Sequence, residues 1–446
     1  MKATDLLSTL PDSWQTVPIK TVCSYTVSNV DKHSLEDEMP VRLCNYTDVY
    51  KNDRVSPDLE LMSATATEDE IDKFHLEAGD VVITKDSESW DDIGIPAYVE
   101  ATADDFVCGY HLAFMRPNGY LLDGRFLFRC VQSRPVALQL ELEATGVTRY
   151  GLPKGAIGNA LIPLPSLETQ RLIADYLDRE TARIDALVAE KEKMLALLEE
   201  KRAALISRAV TRGLDPTAPL KPSGLDWLGD IPAHWEVLRL KFLVKGIDQG
   251  SSPQCYSYPA EVGQWGVLKT GCVNGGLFRE NENKALPSHI DPCVVSEVQE
   301  DDVLMSRASG SADLIGSVAH VSAKPAARLL LSDKIYRLRL RPEKALPSYF
   351  VYALGADYVR HQIKAVISGA EGLANNIAKG DILEFSIVTP PVGEQFETAL
   401  RLATEVSKSK SLGELLSESI AKLKERRATL ITAAVTGQIP VEEMVL

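Results

Sequence analysis

The sequence predicts a mixed α/β fold: two pseudo-two-fold-related globular α/β domains separated by two long antiparallel coiled-coil helices. Three observations carry this prediction. Leu10-Pro11-Asp12-Ser13-Trp14, then Ile19-Lys20, returns as Ile231-Pro232-Ala233-His234-Trp235, then Leu240-Lys241, at an offset of 221. Near the other end of each copy, Arg202-Ala203-Ala204-Leu205-Ile206 and Ala209-Val210-Thr211 return as Arg427-Ala428-Thr429-Leu430-Ile431 and Ala434-Val435-Thr436, at an offset of 225. Each copy also ends in a long segment whose apolar residues recur at heptad spacing.

The first copy opens with a domain over 1–165. Asp5 and Leu7 are echoed by Asp226 and Leu228, so the repeat begins before the Pro-x-x-Trp motif. Val81-Val82-Ile83-Thr84 is a short β-prone run after Gly79-Asp80. Val303-Leu304-Met305-Ser306 repeats it after Asp301-Asp302, and each run is followed by a polar loop and Ile-Gly (Ile93-Gly94, Ile315-Gly316). Ile335 to Leu340 alternates with period two, as a half-buried strand does, and Tyr349 to Leu354 reads as helical or buried.

The first long helix is expected over 166–213. Glu168 to Arg212 contains neither Pro nor Gly, and Leu177, Ile184, Leu198 and Leu205 form one seam while Val188, Leu195 and Ala209 form its companion. A helix of that length is a rod of about 65 Å, and so long a seam wants a partner helix. Residues 214–234, rich in Pro and Gly, are the linker. The second domain covers 235–391, the second helix 392–437, and a tail 438–446. The second seam has Leu402, Leu416, Leu423 and Leu430 on one series and Val406, Ile420 and Ala434 on the other, in the register of the first. Two seams in one register point to each other as partners, antiparallel if a two-fold axis crosses the rods. Ser407 to Gly413 weakens helix propensity, so a bend or fray is expected there.

The bulk composition is that of an ordinary globular protein, 45% hydrophobic and 25% charged over 446 residues. No signal peptide and no membrane span is read from the chain. Seven cysteines are scattered without C-x-x-C spacing, which suggests reduced thiols in a cytoplasmic protein and no zinc site. The net charge of −15 argues against a simple DNA binder. Most of the surplus is in the first domain, where residues 15–165 hold 13 basic against 24 acidic residues, while 236–393 balance at 17 each. Acidic runs such as Glu68-Asp69-Glu70 ordinarily mark a solvated face, and a basic edge can coexist with them.

No G-x-x-x-x-G-K-[ST] and no amino-methyltransferase Asn/Asp-Pro-Pro-aromatic signature is present, and the seven histidines lack metal-ligand spacing. Gly271, Gly275 and Gly276 read as a turn rather than a dinucleotide fingerprint. Asp80 and Lys85 alone are too little for a nuclease. No catalytic residue and no metal site is assigned.

The run Arg149-Tyr150-Gly151-Leu152-Pro153-Lys154, Ile162-Pro163-Leu164-Pro165, Gln170, Ile173 to Glu180, Ile184-Asp185, Ala209 to Gly213 and Trp227 to Trp235 resembles the specificity subunit of type I restriction–modification systems. The resemblance covers nearly the whole chain, including its tandem plan. It implies two target-recognition domains, each reading one half of a split sequence in double-stranded DNA, and two helices that set the spacer and dock two methyltransferase subunits. S-adenosylmethionine would then belong to those subunits, ATP and Mg to restriction–translocase subunits, and no cofactor to this chain. The acidic first domain departs from the family picture.

Base readout needs forked or amide donors on loops at one edge of a rigid globule. The paired loops offer Lys85 against Arg307; Asn45, with Lys51 and Arg54, against Lys269 with Arg279; and Arg149-Tyr150 with Lys154 against Asn375-Asn376 with Lys379. For each residue, ordinary surface solvation is the competing reading. A different class of function, a coiled-coil scaffold that joins two protein partners without touching nucleic acid, has the negative charge as its support.

Overall fold

The computed structural model describes residues 10–367 and 375–445; Asp5 and Leu7 lie outside them. The chain divides into two compact units, one built from the residues up to Glu192 together with 416–446, the other from 193–415.

In the first unit Gln15–Pro18 pairs antiparallel with Leu161–Leu164. A five-stranded sheet follows the order Cys23–Val27, Leu112–Pro117, Val81–Thr84, Pro96–Val99, Arg54–Val55. Beside it, Met39–Cys44 pairs antiparallel with Met62–Ala66 and parallel with Phe106–Cys108. Val81 to Thr84 are all fully buried, which is why their apolar character runs unbroken instead of alternating.

The second unit repeats this frame. Glu236–Arg239 pairs with Ser386–Thr389. The sheet order is Val244–Gln249, Ile335–Leu340, Val303–Ser306, Val318–His320. Trp265–Leu268 pairs antiparallel with Asn283–Ala285 and parallel with Arg328–Leu330. Among the described residues only the first unit adds an edge strand, Arg54–Val55, parallel to Pro96–Val99. Helices Gly124–Gln132 and Arg134–Glu143 in one unit match Pro347–Gly355 and Asp357–Val366 in the other. The Ile-Gly signal has a steric basis: Gly94 and Gly316 take φ of +75° and +70°, and a Cβ there would lie 2.9 Å from Leu140 and 2.6 Å from Ile363.

The long helices span Leu167–Arg212 and Val392–Val435. Within the first unit, Ile173 and Leu177 near the start of one share a core with Ile431, Ala434 and Val435 near the end of the other. Further along, Arg427 pairs with Asp185 at 2.9 Å and Lys424 with Glu192 at 3.2 Å. Within the second unit Leu205, Ile206, Ala209 and Val210 pack with Ala399 and Leu402. Residue numbers rise on one helix as they fall on the other, so the pair is antiparallel. Leu177, Ile184, Val188, Leu402, Leu416 and Ile420 are buried, whereas Leu195, Leu198, Leu205, Leu423 and Leu430 are partly exposed.

The expected fray at Ser407–Gly413 does not occur: the helix is continuous through it. Gly413 faces the partner helix, where a Cβ would touch Leu195 and Leu198 at 3.9 Å. Packing against the partner overrides the weak local propensity. The linker also holds more structure than its composition suggested, since Leu220–Pro222 pairs with Asp230–Pro232.

A buried glutamine pins the first turn of each helix. Gln170 Nε2 donates to the carbonyls of Leu121 and Pro165 at 3.0 and 2.9 Å, and its Oε1 accepts from Asp123 N at 2.8 Å. Gln395 makes the same three bonds, to Lys344, Pro390 and Leu346. Replacing Gln170 with Leu orphans two carbonyls and an N–H, in one buried bond (to Pro165) and two part-buried ones. Each such group costs about 1–3 kcal/mol, so Gln170→Leu should lower the unfolding free energy of its unit by roughly 2–4 kcal/mol. Urea titration checks this, and a loss below about 0.5 kcal/mol would refute it.

Candidate nucleic-acid interface

In each unit the sheet strands deliver a set of loops to one edge. In the first, this edge gathers the C-terminal ends of Cys23–Val27, Met39–Cys44, Val81–Thr84 and Phe106–Cys108 with the start of Leu112–Pro117. In the second, Val244–Gln249, Trp265–Leu268, Val303–Ser306, Arg328–Leu330 and the start of Ile335–Leu340 play the same parts. Backbone hydrogen bonds fix the loops alike. Lys85 N donates to His111 O at 3.0 Å and Leu152 N to Lys85 O at 2.8 Å; Arg307 N donates to Lys334 O at 2.8 Å and Ile377 N to Arg307 O at 3.1 Å.

Short strands complete each edge. Tyr150–Gly151 pairs with Thr145–Gly146 on one side and Asp86–Ser87 on the other. Asn375–Asn376 pairs with Ala308–Ser309. The structure thereby brings Asn45, Lys85, Arg149 and Tyr150 to one edge, and Lys269, Arg307, Asn375 and Asn376 to its counterpart.

Their surroundings differ. Asn45 is the N-cap of helix Tyr46–Lys51 and forms a capping box with Asp48. Lys51 ends that helix and is exposed. Arg54 is at the opposite edge: it donates to Glu100 and to Asp178 of the first long helix, both at 2.9 Å, and lies 5.7 Å from the Tyr98 ring. That geometry ties the globule to the helix. Lys154 Nζ lies 5.6 Å from the Tyr25 ring, and Lys379 Nζ 5.5 Å from that of Tyr336. Lys269 is 4.0 Å from Glu282, and Arg279 is exposed. Arg307 donates to Asp333 O at 3.3 Å, while its buried Nε has no partner among the described residues.

Sequence reasoning missed His111, Asp86 and Lys334. Lys85 Nζ and His111 Nδ1 both lie 2.8 Å from Asp86 Oδ2, and Arg149 Nη2 lies 3.1 Å from His111 Nε2. Lys334 holds the place of His111, directly before Ile335 as His111 stands before Leu112. That shared position ahead of an equivalent strand was the signal available in the sequence.

Asp80 and Lys85 stand at opposite ends of strand Val81–Thr84 and form no joint site. Asp80 instead binds Arg116 at 2.9 and 2.7 Å and accepts from Glu77 N at 2.9 Å. Asp302 repeats the arrangement with Arg337 at 3.2 Å and Gln299 N at 2.8 Å. Burial pushes both carboxyls above their ordinary range despite these partners. All seven cysteines are unpaired, and burial pushes the Cys23 thiol up to about 12. Among the described residues no group of three or more His, Cys, Asp or Glu could hold a metal ion, and no helix is long and apolar enough to cross a membrane.

A family model described as the type I restriction modification DNA specificity domain matches residues 11–196. The EcoKI specificity subunit of Escherichia coli (strain K12) is 23% identical over 444 residues, covering 96% of this chain and 90% of that protein. The EcoEI specificity subunit of Escherichia coli is 28% identical over 206 residues, 46% of this chain and 34% of that protein. Among solved structures, a chain from work on complex assembly and conformational transition of the type I R-M system superposes with a TM-score of 0.68 at 18% identity, covering 96% of this chain and 99% of that one. The HsdS subunit from Thermoanaerobacter tengcongensis gives 0.50 at 19% identity, covering 96% and 98%.

The Asp86 cluster has an acid signature. Burial pushes its carboxyl up, but the hydrogen bonds from His111 and Lys85 outweigh that, and the net shift is below its ordinary 3.8. A depressed folded value contributes stability above the unfolded value that is lost as pH falls through the folded one. The stability advantage of the native chain over Asp86→Asn should therefore shrink as pH drops below about 3.9. Urea midpoints of both proteins at pH 6 down to pH 2 check this; a constant difference would refute it.

Proposed function

Because the chain belongs to the family of type I restriction–modification specificity subunits, we propose that each of its globules reads one half of a split DNA target through the loop edge described above. The observation that carries this reading is one strand frame used twice, with the same backbone bonds at Lys85 and Arg307 but different side chains around them. A shared frame with different donors suits two different half-sites. The long helices, on this reading, set the spacer between the halves and dock two methyltransferase subunits. S-adenosylmethionine would be bound there, and ATP with Mg on restriction–translocase subunits. This chain would supply recognition in the cytoplasm and no catalytic group.

The charge of −15 is compatible with this role if partner subunits provide much of the phosphate contact. It is also what favours the scaffold reading. Gel-shift titration of the assembly with its methyltransferase separates the two. A specificity subunit gives sequence-dependent, salt-sensitive complexes, and a scaffold gives none.

Two further outcomes are expected. Exchanging residues 15–160 for those of a relative should change one half of the methylated sequence and leave the other intact, as read by methylome sequencing; a change in both halves, or in neither, refutes the assignment. Inserting seven residues near Met194, with a matching insertion in the second helix, should lengthen the spacer while both half-sites persist. An unchanged spacer would remove the helices as the measuring element.

A further inference from the structure

The Asp86–His111–Arg149 chain does more than decorate the edge of the first unit. Asp86 Oδ2 accepts a hydrogen bond from His111 Nδ1 at 2.8 Å, which fixes the plane of the imidazole, and Arg149 Nη2 lies over the face of that ring, 3.1 and 3.3 Å from its two nitrogens. Lys85 Nζ bonds the same carboxylate oxygen at 2.8 Å, and the Tyr110 ring packs against the imidazole. Arg149 itself is exposed and sits at the tip of the Thr145–Gly151 hairpin, next to Val147, which is 88% exposed. The hairpin is sterically fixed too. Gly146 has a φ of +147°, and a Cβ there would collide with the Arg149 carbonyl.

A flexible surface arginine is thus held by one nitrogen while the rest of its fork faces solvent. A planar fork restrained in this way matches the O6 and N7 acceptors of guanine in the major groove. Among the described residues the second unit shows no such device, with Lys334 in the place of His111 and Ala308 in that of Asp86.

We propose that Arg149 reads a guanine in the half-site of the first globule and that His111, oriented by Asp86, is its positioning residue; this rests on the reading of the chain as a specificity subunit. The test uses the full chain assembled with its methyltransferase. The first half-site is identified by the 15–160 exchange, and each of its guanines is then replaced in turn by 7-deazaguanine, which lacks the N7 acceptor. The native assembly should lose about 10- to 100-fold in affinity at one such guanine. Arg149→Ala should lose as much on natural DNA and show no further loss on the analogue. His111→Leu should weaken discrimination at that same position, with partial recovery in His111→Phe, whose ring again offers a face to the guanidinium. Unchanged recognition of the second half-site shows that each variant is folded.

The proposal is overturned if the first half-site contains no guanine, if no analogue lowers native affinity, or if Arg149→Ala or His111→Leu keeps full discrimination. An assembly that binds DNA with no sequence preference at all overturns the specificity reading along with it.

Discussion

Neither copy of the repeat closes its own core. In the unit that holds the first globule, Ile431, Ala434 and Val435 come from the far end of the chain and are at most 1% exposed. In the other unit, Ala209 and Val210 of the first long helix are buried against Tyr349, Trp235 and Leu402 of the second copy. Each fully buried Ile or Val among them contributes about 1.5–3 kcal/mol, so each globule depends on the end of the helix that begins in the other copy. The Pro-x-x-Trp motif makes the joint. Gly437 leaves its helix at φ +68°, and a Cβ there would meet Pro11 at 2.6 Å and Trp14 at 3.3 Å; Gly213, at φ +74°, lies against Trp235 in the same way. A left-handed glycine ends each helix where only a residue without a side chain lets the tryptophan approach. The most conspicuous repeats in the sequence are therefore the two surfaces of one contact.

This accounts for what the sequence made legible. Heptad seams, helix-end motifs and the buried Val81–Thr84 and Val303–Ser306 runs follow from periodicity and burial, which one chain displays directly. The reading edge follows from neither. Asp86–Ser87 and Tyr150–Gly151 are two-residue strands, too short for any period. His111 acquires its partners from residues 25 and 38 positions away. Asn45 carries the residue type of a base reader, yet the same amide chemistry makes it a helix cap. The continuity of the second helix through Ser407–Gly413 was hidden for a related reason: its cause lies in Leu195 and Leu198 on another helix.

The two units spend charge differently. In the first, Arg54, Arg125 and Arg129 converge on Asp178 of the long helix at 2.9, 3.5 and 2.7 Å, and Arg427 of the other helix bonds Asp53 and Asp185. Arg129 is 3% exposed and its Nε has no partner among the described residues, so the cluster carries a desolvation cost that its ion pairs must offset. Such clusters are strong constraints on geometry even where they add little net stability. In the second unit Tyr352 and Ala403 take the places of Arg129 and Asp178, and they line a cavity of about 710 Å³. Four arginines of the first unit are thus engaged by its own carboxylates.

What remains constant at the reading edge is backbone. The bonds that shape it run from N–H to C=O at Lys85, His111 and Leu152, and again at Arg307, Lys334 and Ile377. Backbone groups keep these bonds whichever side chains the residues carry, so histidine and lysine can exchange at one position without moving the loop. Side chains on the strands behind cannot vary in this way: Val81, Ile83, Val303 and Met305 are fully buried, and a change of volume there is felt throughout the sheet. The fold thereby separates a frame, held by main-chain bonds and packed apolar strands, from a rim whose donors and acceptors can change independently. Two copies of that frame in one polypeptide can consequently diverge in what they read while remaining the same object underneath.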